Sequence, residues 1–140
     1  MQRKAGRPSR RAAAERERAA ELLPLPHLTY LVLLALARGP AHGWAVIKRI
    51  EGMTSGATQP SSGSLYLAMV RLDERGLLEE VAAPSDDLDA RRRYYGLTPF
   101  GRCVLEAESA RLADLVREAT RAGALQSSSS AVASGVRRKS

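Results

Sequence analysis

The chain has 140 residues, 44% of them hydrophobic but only 4% aromatic, and its formal net charge is +7. This length allows one compact domain with terminal tails and excludes two full domains. The positive charge favours an anionic partner, either nucleic acid or an anionic membrane surface. Because aromatic residues are scarce, the core must be built from aliphatic side chains, which favours packed helices.

Several classes of protein are excluded by the residues themselves. The apolar segment 28–37 is far shorter than the roughly 20 residues of a membrane span, and acidic residues interrupt the basic segment of a secretory signal. We therefore expect a cytoplasmic, nucleoid-associated protein with no membrane partner. Cys103, the only cysteine, predicts a buried structural thiol, and no paired metal ligands accompany it. No nucleophile–base pair, carboxylate pair or phosphate loop indicates an enzyme, and no cofactor is predicted.

The N-terminal segment divides at residue 11. Residues 1–11 are basic and predict a disordered arm, whereas residues 12–23 predict a helix that Pro24 ends, followed by a linker to residue 26. The arm resembles the AT-hook motif, with alanine in place of its first arginine. Arg3, Lys4 and Arg7 are therefore candidate minor-groove contacts, and a non-specific electrostatic arm is the alternative.

Residues 27–98 predict three helices and a β-hairpin. The helices should cover 27 or 28 to 38, about 43 to 53, and a segment that begins after Ser61 or Ser62 and runs to Arg75. The strands should cover 77 to 81 and 92 to 97. Three helices followed by a two-stranded hairpin is the order of a winged helix-turn-helix domain, in which the third helix enters the major groove. The predicted fold is therefore mainly α with a small β-hairpin.

A long C-terminal helix is predicted over residues 99–122, because Thr98-Pro99 is a favourable helix start. No later element is available to cover its apolar stripe, which predicts a homodimer interface. The stripe consists of Leu105, Leu112, Leu115, Val116 and Ala119. Residues 123–140 are rich in serine and basic residues and predict a disordered tail.

The start of the third helix carries the strongest candidate contacts to double-stranded DNA. Ser61, Ser62 and Gly63 place small groups at a helix N-terminus, where phosphate binds readily. Ser64, Tyr66 and Leu67 lie outside the core-facing positions Leu65, Met69 and Leu72 and are placed to reach base edges. The alternative is that the serines only cap the helix. Arg71, further along the helix, and Lys48, on the second helix, complete this set, and for Lys48 a solvated face is the alternative.

The predicted wing carries a basic run. Alternation along the strand directs Arg91, Arg93 and Tyr95 to the face of Leu97, with Tyr95 in the core, so Arg92 and Tyr94 are the better outward contacts. Arg93 is a further candidate phosphate contact as part of the same basic run. Pairing of these arginines with Glu79 and Glu80 is the alternative. Asp86, Asp87 and Asp89 would be repelled by phosphate, which predicts that the wing tip stays outside the minor groove.

Taken together, these motifs resemble the PadR family of bacterial transcriptional regulators, over residues 28 to 116. The resemblance implies a dimeric winged-helix repressor of the shorter-tailed branch, whose members often respond to phenolic acids or hydrophobic drugs. It also implies that the serine-rich helix start and Tyr66 form the recognition motif, and that Arg93 and Tyr94 belong to the wing. The matching segments are His42-Gly43-Trp44, Pro60 to Tyr66, Arg71-Leu72, Gly76 to Leu78, and Arg93 to Thr98 with Gly101.

Some positions depart from the family pattern. Trp44 replaces a tyrosine, which we interpret as a conservative packing change, Leu67 replaces a proline, and Gly96 replaces a larger polar residue. No aromatic residue follows Phe100, so an aromatic drug site at the dimer centre is not supported and the effector is unknown.

The leading prediction is a repressor that binds an inverted repeat as a dimer. The alternative is a small-molecule-sensing or protein-interaction winged-helix module with weak DNA binding.

Overall fold

A computed structural model describes residues 9–89 and 91–126. The predicted arm contacts Arg3, Lys4 and Arg7, and most of the predicted tail, lie outside these ranges. The chain divides into two compact units, one ending at Glu108 and one beginning at Ser109. The elements in chain order are α1 (Arg10–Glu21), α2 (His27–Leu36), β1 (Ala41–His42), α3 (Gly43–Met53), α4 (Ser62–Glu74), β2 (Leu78–Val81), β3 (Tyr94–Leu97) and α5 (Pro99–Arg121). The predicted mainly helical winged-helix fold is confirmed.

The first helix begins earlier than the sequence predicted. Ser9 Oγ accepts a hydrogen bond of 3.0 Å from the Ala12 N–H and caps α1, so Arg10 and Arg11 form its first turn. The predicted boundary between arm and helix at residue 11 is therefore wrong by two residues. A serine cap offsets the unpaired N–H groups of a helix start, which explains why helical structure extends into the basic segment.

The core of the first unit lies among α2, α3 and α4. Helix α2 is buried along most of its length, and the predicted core positions Leu65, Met69 and Leu72 of α4 are all buried. Arg49 of α3 closes the end of α2, because its Nη1 donates to the carbonyl oxygens of Ala35 (3.0 Å) and Gly39 (2.7 Å). This arginine is therefore part of the scaffold and is not an available DNA contact.

The sheet has three antiparallel strands in the order β1-β3-β2, one more than the predicted hairpin. Strand β1 was missed because two residues are too few to show alternation. Strand β3 begins at Tyr94 and not at Arg92, since the Arg92 N–H donates to the Asp89 carbonyl oxygen (3.1 Å) in a turn. The arginines thus precede the strand, and strand alternation does not set their directions. Tyr95 packs against the core, as predicted.

The start of α5 is fixed to the turn between α4 and β2. Thr98 Oγ1 donates to the Gly76 carbonyl oxygen (2.6 Å) and accepts from the Gly101 N–H (2.9 Å). A Cβ atom at Gly101 would lie 2.0 Å from the Leu77 carbonyl oxygen, so this close approach requires glycine.

Two predictions for α5 need correction. Leu105 is only 4% exposed and belongs to the core of its own chain, so its assignment to the dimer interface is wrong. Cys103 is partly buried rather than fully buried, and it packs at the edge of the core. Helical spacing placed both residues on α5 correctly but did not reveal how far the core extends along that helix.

No helix within the described ranges has the length and apolar character required to cross a membrane. Nor do residues 9–89 and 91–126 bring together three His, Cys, Asp or Glu side chains that would hold a metal ion.

Candidate nucleic-acid interface

One face of α4 collects most of the predicted DNA contacts. Burial of Leu65, Met69 and Leu72 fixes the orientation of the helix. The opposite face is exposed, and its two large apolar side chains, Tyr66 and Leu67, retain 66% and 53% of their accessible surface. The exposed residues on this side are Ser62, Gly63, Ser64, Tyr66, Leu67 and Arg71.

The first turn of α4 is suited to an anion. Ser61 Oγ accepts from the Ser64 N–H (3.1 Å), so the capping alternative correctly describes Ser61. The N–H groups of Ser62 and Gly63 belong to the first helical turn, which has no partners within the helix and carries partial positive charge. No acidic residue lies in this turn. A Cβ atom at Gly63 would meet nothing within 4 Å, so packing does not require glycine there.

A groove of about 410 Å³ separates α4 from the wing, and we call it the wing groove. Its walls come from the start of α3, one side of α4 and the arginines before β3. The residues that line it include Trp44, Ile47, Tyr66, Met69, Arg93 and Tyr95.

Trp44 is the main groove residue that the sequence reasoning misread. It is 64% exposed, so its replacement of tyrosine is not a change in core packing. Its ring stacks on His42, with centroids 6.4 Å apart, and Lys48 Nζ lies 5.2 Å from the ring centroid. Helical spacing contained the signal, because Trp44 lies opposite Val46 and Ile50, the buried residues of α3.

The wing loop is held by ionic and hydrogen-bonded contacts. The Tyr94 hydroxyl donates to Asp87 Oδ2 (2.6 Å), which holds the pKa of Asp87 below its usual value and raises that of Tyr94. Arg92 lies 3.7 Å from both Asp87 and Asp89. Arg92 and Tyr94 therefore face the acidic loop, which corrects both their predicted outward orientation and the alternative pairing with Glu79 and Glu80.

Arg93 is the wing cation most available to DNA. Arg91 and Arg92 pair with aspartates, whereas Arg93 takes part in no ion pair within residues 9–89 and 91–126, and it is exposed. Lys48 is also exposed but lies 3.4 Å from Glu51 Oε1. Strand alternation favoured Arg92 over Arg93 as the outward contact, and the structure reverses this order, because Arg92 pairs with the acidic loop.

His42 links α3 to the wing. Its Nδ1 accepts from the Ala45 N–H (3.4 Å) at the start of α3, and its ring meets Tyr94 edge-on at 5.2 Å. Burial, followed by the positive charge of Arg92, lowers the pKa of His42 below its ordinary value. The neutral ring is the form that accepts this hydrogen bond.

Comparison with known proteins gives matches to both sequence and fold. The profile of the "Transcriptional regulator PadR-like family" matches residues 32–107, more than half of the chain. A relative from Streptomyces fradiae, "Uncharacterized 37.1 kDa protein in transposon TN4556", is 40% identical over 85 residues. That alignment covers 61% of this chain, and the chain spans only 23% of the relative's length.

Solved structures with a similar fold include two regulators described as PadR family or PadR-like. The regulator from Clostridium difficile R20291 has a TM-score of 0.59 at 20% identity, covering 69% of this chain and 97% of that one. The regulator from Bacillus cereus has a TM-score of 0.58 at 18% identity, covering 75% and 94%. The profile match extends from α2 through α4 and the sheet into α5. This chain therefore belongs to the PadR-like family of DNA-binding transcriptional regulators, whose members are not enzymes.

Proposed function

We propose that this protein is a sequence-specific repressor that binds an inverted-repeat operator as a homodimer in the cytoplasm. The observation that carries the proposal is the outer face of α4, where small hydroxyl groups, an open glycine and Tyr66 lie together beside the cationic Arg93. In a winged helix-turn-helix protein this is the face that enters the major groove.

Base reading is assigned to the residues just after the helix start. Ser64 supplies a hydrogen-bonding hydroxyl, and Leu67 supplies an aliphatic surface for a thymine methyl group. Phosphate binding is assigned to the first-turn N–H groups and to Arg93, which carry no sequence information but fix the position of the helix on the duplex.

Dimerisation is assigned to the second part of α5. Leu115 and Val116 remain 52% and 51% exposed in the single chain, although both are aliphatic and adjacent on the helix. A two-fold dimer would place its two copies of α4 in successive major grooves, at half-sites about 34–36 Å apart.

The direct test is fluorescence anisotropy with labelled DNA from upstream of the protein's own gene and with scrambled DNA of equal composition. We expect a preference of about 10³ for the native sequence. Ser64→Ala should reduce this preference about tenfold or more, since a good base contact is worth about 1–3 kcal/mol. Ser85→Ala, in the exposed wing loop, is the matched control. Equal affinity for both DNAs would contradict sequence-specific regulation.

Repression itself needs a separate readout. Deleting the gene should raise expression of a reporter placed behind the bound upstream DNA, and restoring the gene should lower it again. A fall in reporter expression on deletion would instead identify an activator.

A second candidate is a sensing or protein-interaction module with weak DNA binding. The observation in its favour is the pairing of Arg91 and Arg92 with Asp87 and Asp89, which reduces the charge that the wing offers to phosphate. Absence of binding to either DNA at low salt would favour this candidate.

A further inference from the structure

A second groove lies along the flank of α4 that faces away from the wing, and we call it the linker groove. Its volume is about 360 Å³, and its walls come from α4, from the segment that joins α1 to α2 and from the start of α2. Among the described residues the two grooves have none in common, because helical spacing places Tyr66 and Ala68 on opposite flanks of α4. The linker groove is therefore a separate surface beside the same helix.

The linker groove has an apolar wall that the fold leaves open. Leu22, Leu25 and Leu28 lie on one side of it and are only partly buried. Leu67 lies on the other side and keeps 53% of its accessible surface. Apolar surface that is grouped in this way and bordered by polar residues indicates an interaction site. A phosphate strand would leave most of this surface without a partner.

Two arginines line the same groove without an anionic partner. Arg71 lies in the last turn of α4 and Arg75 at its C-terminal cap, so the two side chains lie on one face of the helix. Both are exposed, and in the part of the chain that the structure describes neither takes part in an ion pair or a side-chain hydrogen bond. The groove thus suits a partner that combines an aliphatic side chain with carboxylates.

The wing tip of the chain itself has this composition. Leu88 is 95% exposed, and it follows two aspartates and precedes a third. Asp87 and Asp89 hold the loop through their contacts with the rest of the wing, whereas Asp86 is exposed and has no ion pair to any residue described. Because the loop is already held in place, docking of the tip would require little further ordering.

We propose that the linker groove of one copy receives the wing tip of a second copy, with Leu88 against Leu67 and the linker leucines and with Asp86 beside Arg71 and Arg75. A chain does not fill its own groove, because its wing lies on the other flank of α4 and its Leu88 stays exposed. The contact joins two different surfaces, so each copy can offer a tip and accept one. One loop in one groove is smaller than a standard interface, so we expect weak association that increases with concentration.

Docking of the tip and binding of DNA exclude each other in this arrangement. The docked tip covers Ser64 and Leu67, which are also assigned to base reading, and it brings carboxylates to the face that DNA would occupy. A docked copy is therefore withheld from the operator until DNA displaces the tip. This competition rests on the proposed function, whereas association of the free protein does not.

Sedimentation velocity of the full-length protein without DNA, from about 10 µM to about 500 µM, measures the association directly. The weight-average sedimentation coefficient should rise across this range. Leu88→Ala should weaken the association about tenfold, because buried aliphatic surface is lost. Ser85→Ala, in the same exposed loop, is the matched control. No rise in the unmodified protein, or a rise that Leu88→Ala leaves unchanged, would overturn the docking.

The ionic part of the contact is tested by exchanging its charges. Arg75→Glu and Asp86→Arg should each weaken the association about tenfold, since each places like charges together. The double variant should recover the association, because it restores opposite charges between the copies. Arg75→Glu combined with Glu80→Arg, at an exposed carboxylate on β2, is the control and should not recover it. A double variant that associates as weakly as the single variants would overturn the pairing of Asp86 with the groove.

Native upstream DNA should disperse the associated protein. Sedimentation of a fluorescently labelled trace of the protein should show the larger species replaced by one protein–DNA complex as that DNA is added, and scrambled DNA at the same concentration should not have this effect. Association that persists with native DNA bound would overturn the competition and leave the docking. Association without a preference between the two DNAs would count against the proposed function alone. Absence of association, with DNA affinity lowered by Arg75→Glu, would assign the arginines to phosphate and overturn the docking.

Discussion

Three arginines of this chain have different roles because their neighbours differ. Arg49 donates to two backbone carbonyls at the end of α2 and belongs to the scaffold. Arg92 lies between two aspartates of the wing loop, and Arg93, the next residue, projects beside the wing groove without such a partner among the described residues. Sequence analysis identified the basic run but favoured Arg92 over Arg93 from strand alternation. The arginines precede the strand, and the contacts that separate them depend on how the acidic loop folds back.

This difference predicts unequal effects on DNA binding. Arg93→Ala should weaken binding to every DNA sequence and reduce the salt slope of the association constant by about one. Arg92→Ala should have a smaller effect, since its guanidinium already faces two carboxylates. Anisotropy titrations at several salt concentrations measure both quantities, with Arg117→Ala on α5 as the control. A larger slope change for Arg92→Ala would show that the wing loop opens when DNA binds.

Gly63 should separate stability from DNA affinity. Its Cβ position is open, so Gly63→Ala should stabilise the free protein by up to about 1 kcal/mol by favouring helix. The added methyl group should weaken DNA binding, because in the proposed complex the backbone at the helix start approaches phosphate closely. Gly52→Ala, near the end of α3 and equally open, should stabilise without changing DNA affinity. Urea unfolding measures the stability of both variants, and fluorescence anisotropy measures their DNA affinity. Unchanged DNA affinity in Gly63→Ala would exclude close approach of the backbone to phosphate at this position.

At the scale of elements, the connection between α3 and β3 depends on one titratable side chain. Residue His42 ends β1, caps α3 and packs against Tyr94 of β3. Its pKa is lowered in the folded protein, so the folded state favours the neutral ring. The resulting stability is present above the ordinary histidine pKa of about 6.5 and is lost as the pH falls through the lower folded value.

The free energy of unfolding should therefore fall between about pH 7.5 and about pH 5, in part through protonation of His42. His42→Asn should reduce this fall, because asparagine caps a helix without titrating in this range. His27→Asn, at the exposed histidine that begins α2, is the matched control. Urea unfolding at the two pH values provides the comparison, and an identical pH dependence in the protein and in His42→Asn would contradict the assignment.

Helix positions were more predictable than the sheet, for a physical reason. Ser61, Pro99 and the spacing of Leu65, Met69 and Leu72 are local signals, so α4 and the start of α5 were placed within a residue or two. The short β1 and the turn before β3 depend on pairing between segments far apart in sequence. Of the candidate site, the outer face of α4 was predictable from periodicity. The groove at Trp44 was not, because it is formed by three separate segments.

At the scale of the whole molecule, the proposed dimer rests on the part of α5 beyond Glu108. The stripe predicted from sequence ran from Leu105 to Ala119, but the core of the same chain buries Leu105. Periodicity identifies an apolar stripe without showing whether the same chain or a partner covers it. Only the exposed part of the stripe is available to a second copy.

A charged residue in the exposed part of the α5 stripe should prevent dimerisation and produce monomers. Leu115→Glu or Val116→Glu would place a carboxylate in a desolvated interface, which costs several kcal/mol without a partner. Light scattering coupled to size-exclusion chromatography should give half the mass of the unmodified protein. Operator binding, measured by fluorescence anisotropy, should be weaker because two-fold recognition is lost. Leu88→Glu, on the wing loop, should remain dimeric. A dimer mass for both α5 variants would place the interface elsewhere.

The contact between Gly101 and the Leu77 carbonyl oxygen has a consequence for how this sequence tolerates change. In a library that varies each glycine, selection for soluble expression alone should return only glycine at position 101, since even alanine would place a carbon 2.0 Å from that oxygen. Position 63 should accept many residues under the same selection. The residues tolerated there should be restricted to glycine only when the clones are also selected for repression of a promoter. Two glycines that look alike in the sequence would thus be retained by different selective pressures, one acting on folding and the other on gene control.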